Sequence, residues 1–128
     1  MIRALLWNHK TFEEVTLDPN SETPIYQQVN ELIDARTMTL QKFNEDIEAY
    51  VDDEGLLVDE PIYGAIWVYP TGKVIQGIGG KILFVNHNEQ GETIDLTYEQ
   101  MKRIKHLMKH QIPTSKGDKY EALIIEHH

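Results

Sequence analysis

The chain has 128 residues, 41% apolar and 26% charged, which is the balance of a single folded domain and too little for two ordinary ones. No apolar run approaches the roughly 18 to 20 residues of a membrane helix, and the apolar start at residues 1–8 reads as too short for a secretory signal. The lack of any Cys excludes disulfides, thiolate metal sites and a Cys nucleophile, and it fits a reducing, cytoplasmic setting. A net charge of −9 argues against wrapping nucleic acid, which needs a basic face.

In chain order, Ile2 to Trp7 reads as a buried strand, and the turn-forming Asn8-His9-Lys10 joins it to the alternating run Phe12 to Leu17. Together they predict a β-hairpin. After the loop Asp18-Pro19-Asn20-Ser21 the period changes, with Ile25, Val29, Leu32 and Ile33 at helical spacing. That spacing predicts a helix over 24–36, with Thr23 as N-cap and Pro24 at its first position. Thr37 to Phe43 and Ile47 to Val51 follow as short strands. The turn Asp52-Asp53-Glu54-Gly55 calls for Gly at positive φ, and Leu56-Leu57-Val58 is expected to continue as a strand beyond it.

Ile62 to Tyr69 is apolar and ends at Pro70-Thr71-Gly72, a turn. Lys73 to Gln76 and Lys81 to Asn86 read as strands around Gly77-Ile78-Gly79-Gly80, and Glu92 to Asp95 as one more short strand. Thr97 and Gln100 form a capping box, and Met101, Ile104, Leu107 and Met108 an apolar stripe, predicting a last helix over 97–110. Residues 111–128 follow as a flexible C-terminal segment, of which Tyr120 to Ile125 is apolar enough to dock back as a strand or short helix. The whole predicts one α+β domain over 1–128, mostly antiparallel sheet with two helices.

The charge is unevenly placed. Residues 1–60 hold 14 Asp and Glu against 4 Lys and Arg, and residues 61–128 hold 7 against 8. Eight carboxylates, from Glu45 to Glu60, lie in one stretch without a basic residue, and Lys102, Arg103, Lys105 and Lys109 concentrate the opposite sign. An EF-hand fails here, since Tyr50 and Pro61 fall at its first and last ligand positions. Eight acids around a turn also look exposed, whereas acid–base catalysis needs one of a pair buried. The stretch is either a solvated edge or a rigid acidic hairpin for recognition, with Glu48, Asp52, Asp53, Glu54, Asp59 and Glu60 as its contact residues.

Other candidates are weaker. Gly77-Ile78-Gly79-Gly80-Lys81 precedes a strand and lacks a following Ser or Thr, so a turn or bulge fits better than a phosphate loop. His106 and His110 are four apart, which would place them on one helix face, but no third zinc ligand stands nearby. The basic, solvated helix surface is the plainer reading. His127 and His128 read as flexible terminal residues, and His87 as a turn residue. No Gly-x-Ser-x-Gly elbow is present, and the two serines, Ser21 and Ser115, lie in predicted loops. No catalytic residue, metal site or cofactor is assigned.

Several of these segments together resemble a family of small proteins common in tailed-phage and prophage genomes, domain of unknown function 3846. They are Asp52-Asp53-Glu54-Gly55-Leu56-Leu57 with Pro61-Ile62, then Gly80-Lys81-Ile82-Leu83-Phe84-Val85. Glu89-Gln90-Gly91-Glu92 and Leu96-Thr97-Tyr98-Glu99-Gln100 complete the set, and the similarity spans residues 1 to about 110. Two positions depart from the pattern: Asp34-Ala35-Arg36 stands in place of a Gly pair, and Ile62-Tyr63-Gly64 where an Asn follows the Pro turn. The resemblance implies a phage-linked accessory role and carries no catalytic residues with it.

The leading expectation is a non-enzymatic interaction protein that engages a host protein through the acidic hairpin, by nucleic-acid mimicry or in counter-defence. The first alternative is a small-ligand or nucleotide binder using Tyr63, Trp67 and Tyr69 for stacking and Lys73 or Lys81 for charge. The second is a structural accessory protein. No direct nucleic-acid or membrane partner is expected, and monomer and homodimer stay open.

Overall fold

The computed structural model describes residues 1–128. Its first hairpin pairs β1 (Ile2–Trp7) with β2 (Phe12–Leu17), Trp7 opposite Phe12. The connecting turn is closed by Asn8, whose Oδ1 accepts from the N–H groups of Lys10 and Thr11 at 3.0 and 2.9 Å. Helix α1 (Ile25–Ile33) is shorter than expected at both ends. Pro24, not Thr23, is its N-cap and makes no side-chain cap bond. Gln28 instead reaches back from inside the helix, its Nε2 donating to the carbonyls of Asp18 and Thr23 at 2.9 and 2.7 Å. The helix stops at Asp34, which turns left-handed at φ 55°. Arg36 is therefore outside it.

β3 (Met38–Lys42) and β4 (Glu48–Asp52) form a second hairpin. β5 (Tyr63–Val68) and β6 (Val74–Gly79) form a third, and β7 (Ile82–His87) and β8 (Thr93–Ile94) a fourth. β6 runs through Gly77 and Gly79, and the chain passes from one sheet to the other at Gly80, φ 84°. The turn expected over Gly77–Gly80 is thus confined to Gly80, because β6 keeps pairing with β5 as far as Gly79, three residues past the expected strand end; a strand follows, as expected.

Helix α2 (Tyr98–Lys105) opens with the expected capping box, Gln100 N–H donating to Thr97 Oγ1 at 3.1 Å and Thr97 N–H to Gln100 Oε1 at 2.8 Å. It closes five residues before the expected end. Met101 and Ile104 are buried and Leu107 still packs on the core, but Met108 is 75% exposed, so the apolar stripe has no core left to cover. From there β9 (Lys109–Pro113) pairs with β10 (Lys119–Glu126). His106 and His110 consequently lie on different elements, and the shared helix face suggested for zinc does not exist. Segment 111–128 is no loose tail, since β10 sits inside a sheet, and Pro113 is tolerated because β9 is an edge.

The first sheet runs β2-β1-β7-β4-β3, with β8 on β7, and the second runs β6-β5-β10-β9. All pairings are antiparallel except β5 with β10. Leu5, Trp7, Ile82, Phe84, Ala49 and Val51 of the first sheet meet Ala65, Ile78, Leu123 and Ile125 of the second, and α2 adds Met101 and Ile104. On the other face, Ala4, Leu6, Leu83 and Val85 meet Val29 and Ile33 of α1. Both faces of β1 and β7 are thus buried over Ala4–Trp7 and Ile82–Val85, which is why those two segments read as unbroken apolar runs. The layers are α1, first sheet, second sheet: an α+β fold. Neither helix is long and apolar enough to cross a membrane.

Candidate functional site

The turn at Asp52–Gly55 does not close a hairpin; Glu45 to Asp52 belong instead to the β3–β4 hairpin and its turn. β4 ends at Asp52, residues 53–56 turn, and residues 57–62 run on as an irregular, bent segment, with no strand over Leu56–Val58. Asp52 organises the first turn, its Oδ1 accepting from Glu54 N–H at 2.9 Å and its carbonyl from Gly55 N–H at 3.1 Å. Asp53 N–H donates to the Thr37 carbonyl at 2.9 Å, tying the loop to the start of β3. Gly55 does not have positive φ. It is needed for another reason: a Cβ there would lie 2.6 Å from the Gly79 carbonyl oxygen, and one on Gly79 would lie 2.4 Å from that of Gly55. Two glycines thus let the loop lie directly on β6. At the far end Ser115 Oγ donates to Glu60 at 2.7 Å, and Gly80 N–H to the Ile62 carbonyl at 2.7 Å.

Between these anchors the loop presents both charge and apolar surface. Leu57 is 79% and Val58 59% exposed, and Leu56 and Ile62 are also largely open. Glu45 pairs with Lys42 at 3.7 Å and Asp46 with Arg103 at 3.6 Å, both at the surface, where such pairs are worth about 0–1 kcal/mol. Asp52, Asp53, Glu54, Asp59 and Glu60 have no Lys, Arg or His nitrogen within 4.0 Å. The basic segment does not neutralise them. Lys105 turns to Glu14 at 3.7 Å, and Lys109 lies 5.8 Å from the ring centres of Trp7 and Phe12.

Glu48 belongs elsewhere. On β4 it shares a face with Tyr50, and its carboxylate meets His87 Nδ1 at 2.9 Å. His87 Nε2 is 3.1 Å from both Tyr50 OH and Thr93 Oγ1. His87 is the last residue of β7, not a turn residue. A carboxylate, an imidazole and a hydroxyl in series can activate a nucleophile. The adjoining cavity of about 220 Å³ is lined by Glu48 and His87, however, and not by Thr93 or Tyr50. The network joins β4, β7 and β8.

The aromatic and lysine residues proposed for stacking form no single site: Trp67 and Tyr69 both pack on His127 and Tyr69 shares a turn with Lys73, whereas Tyr63 and Lys81 border separate cavities. Trp67 Nε1 donates to the Phe43 carbonyl at 3.1 Å, with its ring edge-on to Phe43 and His127. Tyr63 lies over Gly77 and lines a cavity of about 390 Å³ with Tyr120 and Ile112. Lys81 is ion-paired to Asp34 and borders a different cavity. Tyr69 packs edge-on to His127, and Lys73 is exposed. His127 is held as well, its Nδ1 donating to the Phe43 carbonyl at 3.1 Å and its N–H to that of Val68 at 2.8 Å.

His9 gave no signal beyond its place in a turn. It sits at φ 75°, a conformation uncommon for any residue but Gly, edge-on to Tyr120, with Nδ1 shielded and unbonded. Burial lowers its pKa below the ordinary 6.5; attraction to the Tyr63 backbone opposes the shift and repulsion from Lys81 adds to it. No group of three or more His, Asp or Glu side chains is arranged to hold a metal ion.

Residues 2–109 match the sequence model of domain of unknown function (DUF3846). The chain belongs to this family. No curated protein and no solved structure matches it significantly. The match takes in the acidic loop, α1 and α2, and stops where the β9–β10 hairpin begins.

Proposed function

We propose that this family member is a non-enzymatic interaction protein whose docking surface is the loop from Asp52 to Ile62. The observation that carries the reading is the pairing of opposites on one loop anchored at both ends: Leu57 and Val58 stand open to water between carboxylates that have no partner cation in the chain. Exposed apolar side chains supply the desolvation energy of an anchor. The unpaired carboxylates supply approach rate and selectivity for a basic surface. Roots fixed by the Gly55–Gly79 contact and by Ser115 reduce the ordering cost of binding.

The partner is a protein with a basic face, and carboxylates spaced along a loop offer such a face the charge pattern of a nucleic-acid backbone. The phage-linked setting implied by the resemblance makes that partner a host protein. Glu48, bound to His87, is not part of the surface.

Capture from host lysate tests this. Asp53, Glu54 and Asp59 are exposed and Asp52 organises a turn, so the informative variant is Asp53→Lys/Glu54→Lys/Asp59→Lys. It should unfold at the same urea concentration as the wild type and lose a specific captured protein. An unchanged set of captured proteins from the folded variant would overturn the proposal.

A further inference from the structure

Apart from the two-residue β8, which pairs only with β7 and is too short to template a strand, the strands that end the two sheets are β2, β3, β6 and β9. An edge strand leaves alternate N–H and C=O groups unpaired, a template for any added strand, and proteins commonly block it with charge or Pro. Three of the four follow that rule. β2 carries Glu13 and Glu14, β3 carries Lys42, and β9 carries Lys109 and Pro113. β6, with the sequence Val74-Ile75-Gln76-Gly77-Ile78-Gly79, has neither, and its one irregularity is the bulge at Ile75 in its pairing with β5. Val74 is 58% exposed, Gln76 is open, and the strand's only backbone pairing is with β5.

What lies beside this edge limits its occupant. The acidic loop crosses the Gly79 end, and a groove of about 180 Å³ opens between β3, the loop and β6. Thr39, Gln41, Asp52, Asp53, Leu57 and Gln76 are among its lining residues. A segment added along β6 would run its side chains past Asp52 and Asp53 and its apolar positions toward Leu57. A second copy of this chain is a poor occupant. Pairing β6 with β6 would bring two unneutralised acidic loops together on chains that each carry −9.

We infer that β6 is a docking edge for an extended, basic segment of a partner protein, which adds to the second sheet as a fifth strand. Main-chain hydrogen bonds to β6 would supply affinity, and cationic side chains against Asp52 and Asp53 would supply specificity. The inference deepens the proposed function and rests on the acidic loop being a recognition surface.

A short peptide of alternating Lys and Val serves as the probe, beside the same peptide with alternate amides N-methylated, which keeps its charge but cannot pair as a strand. Fluorescence anisotropy at low ionic strength should show the plain peptide binding at least about tenfold tighter than the methylated one, a difference of about 1.4 kcal/mol. Amides of residues 74–78 should exchange more slowly in its presence. Equal affinity for both peptides, or no binding of the plain one, would overturn strand addition and leave the loop proposal standing. If the Asp53→Lys/Glu54→Lys/Asp59→Lys variant still bound the plain peptide as the wild type does, the coupling of edge to loop would be refuted instead.

Discussion

At the scale of single residues, two positions do work that their sequence context does not announce. Gly55 looks like a turn glycine, and its value lies in letting the loop backbone touch Gly79. The distance that a side chain would violate is to a backbone oxygen, which cannot rotate away. Gly55→Ala should therefore cost about 1–3 kcal/mol, the range for inserting a methyl into filled space. Urea unfolding checks it, and a loss below about 0.5 kcal/mol would mean that the loop is not seated as described. His9 is the second. Its folded pKa lies below 6.5, mainly from burial, so the unfolded chain takes up a proton that the folded one resists. The stability tied to a neutral His9 is therefore present above pH 6.5 and is lost as pH falls from there toward the folded value. Asn tolerates the left-handed backbone at φ 75°, and His9→Asn should flatten that fall in the urea midpoint while folding normally. An identical pH profile in both proteins would contradict the assignment.

At the scale of elements, the sequence was informative wherever local chemistry decides. The β1–β2 hairpin and the capping box of α2 follow from spacing and turn residues within a few positions. It was uninformative where a distant partner decides. α2 stops because the chain at Lys109–Pro113 takes its hydrogen bonds from Lys119–Leu123, and periodicity cannot register a competing strand ten residues away. The candidate site divides in the same manner. Asp53, Glu54 and Asp59 are exposed as their composition suggests. Glu48 is turned to His87 by the alternation of β4, whose Ala49 and Val51 face the other sheet. Trp67 is held by Phe43 and His127, residues remote in sequence, and Tyr63 and Lys81 of the stacking set lie at other cavities.

At the scale of the whole molecule, charge and architecture act together. The first sheet is covered by α1 on one face and by the second sheet on the other. That leaves little freedom in the scaffold from which the loop projects. The β9–β10 hairpin lies beyond the residues matched to the family, yet it supplies Leu123 and Ile125 to the main core and Ser115 to the loop. The acidic loop is anchored on both sheets and neutralised by neither, and the proposed function rests on its being a docking face and not merely a solubilising one. Hydrogen exchange on the complex with the captured partner tests this most directly. Amides of residues 53–62 should be protected on binding and those of β2, at the far edge of the first sheet, unchanged. Protection elsewhere, with the 53–62 loop exchanging as in the free protein, would contradict the account.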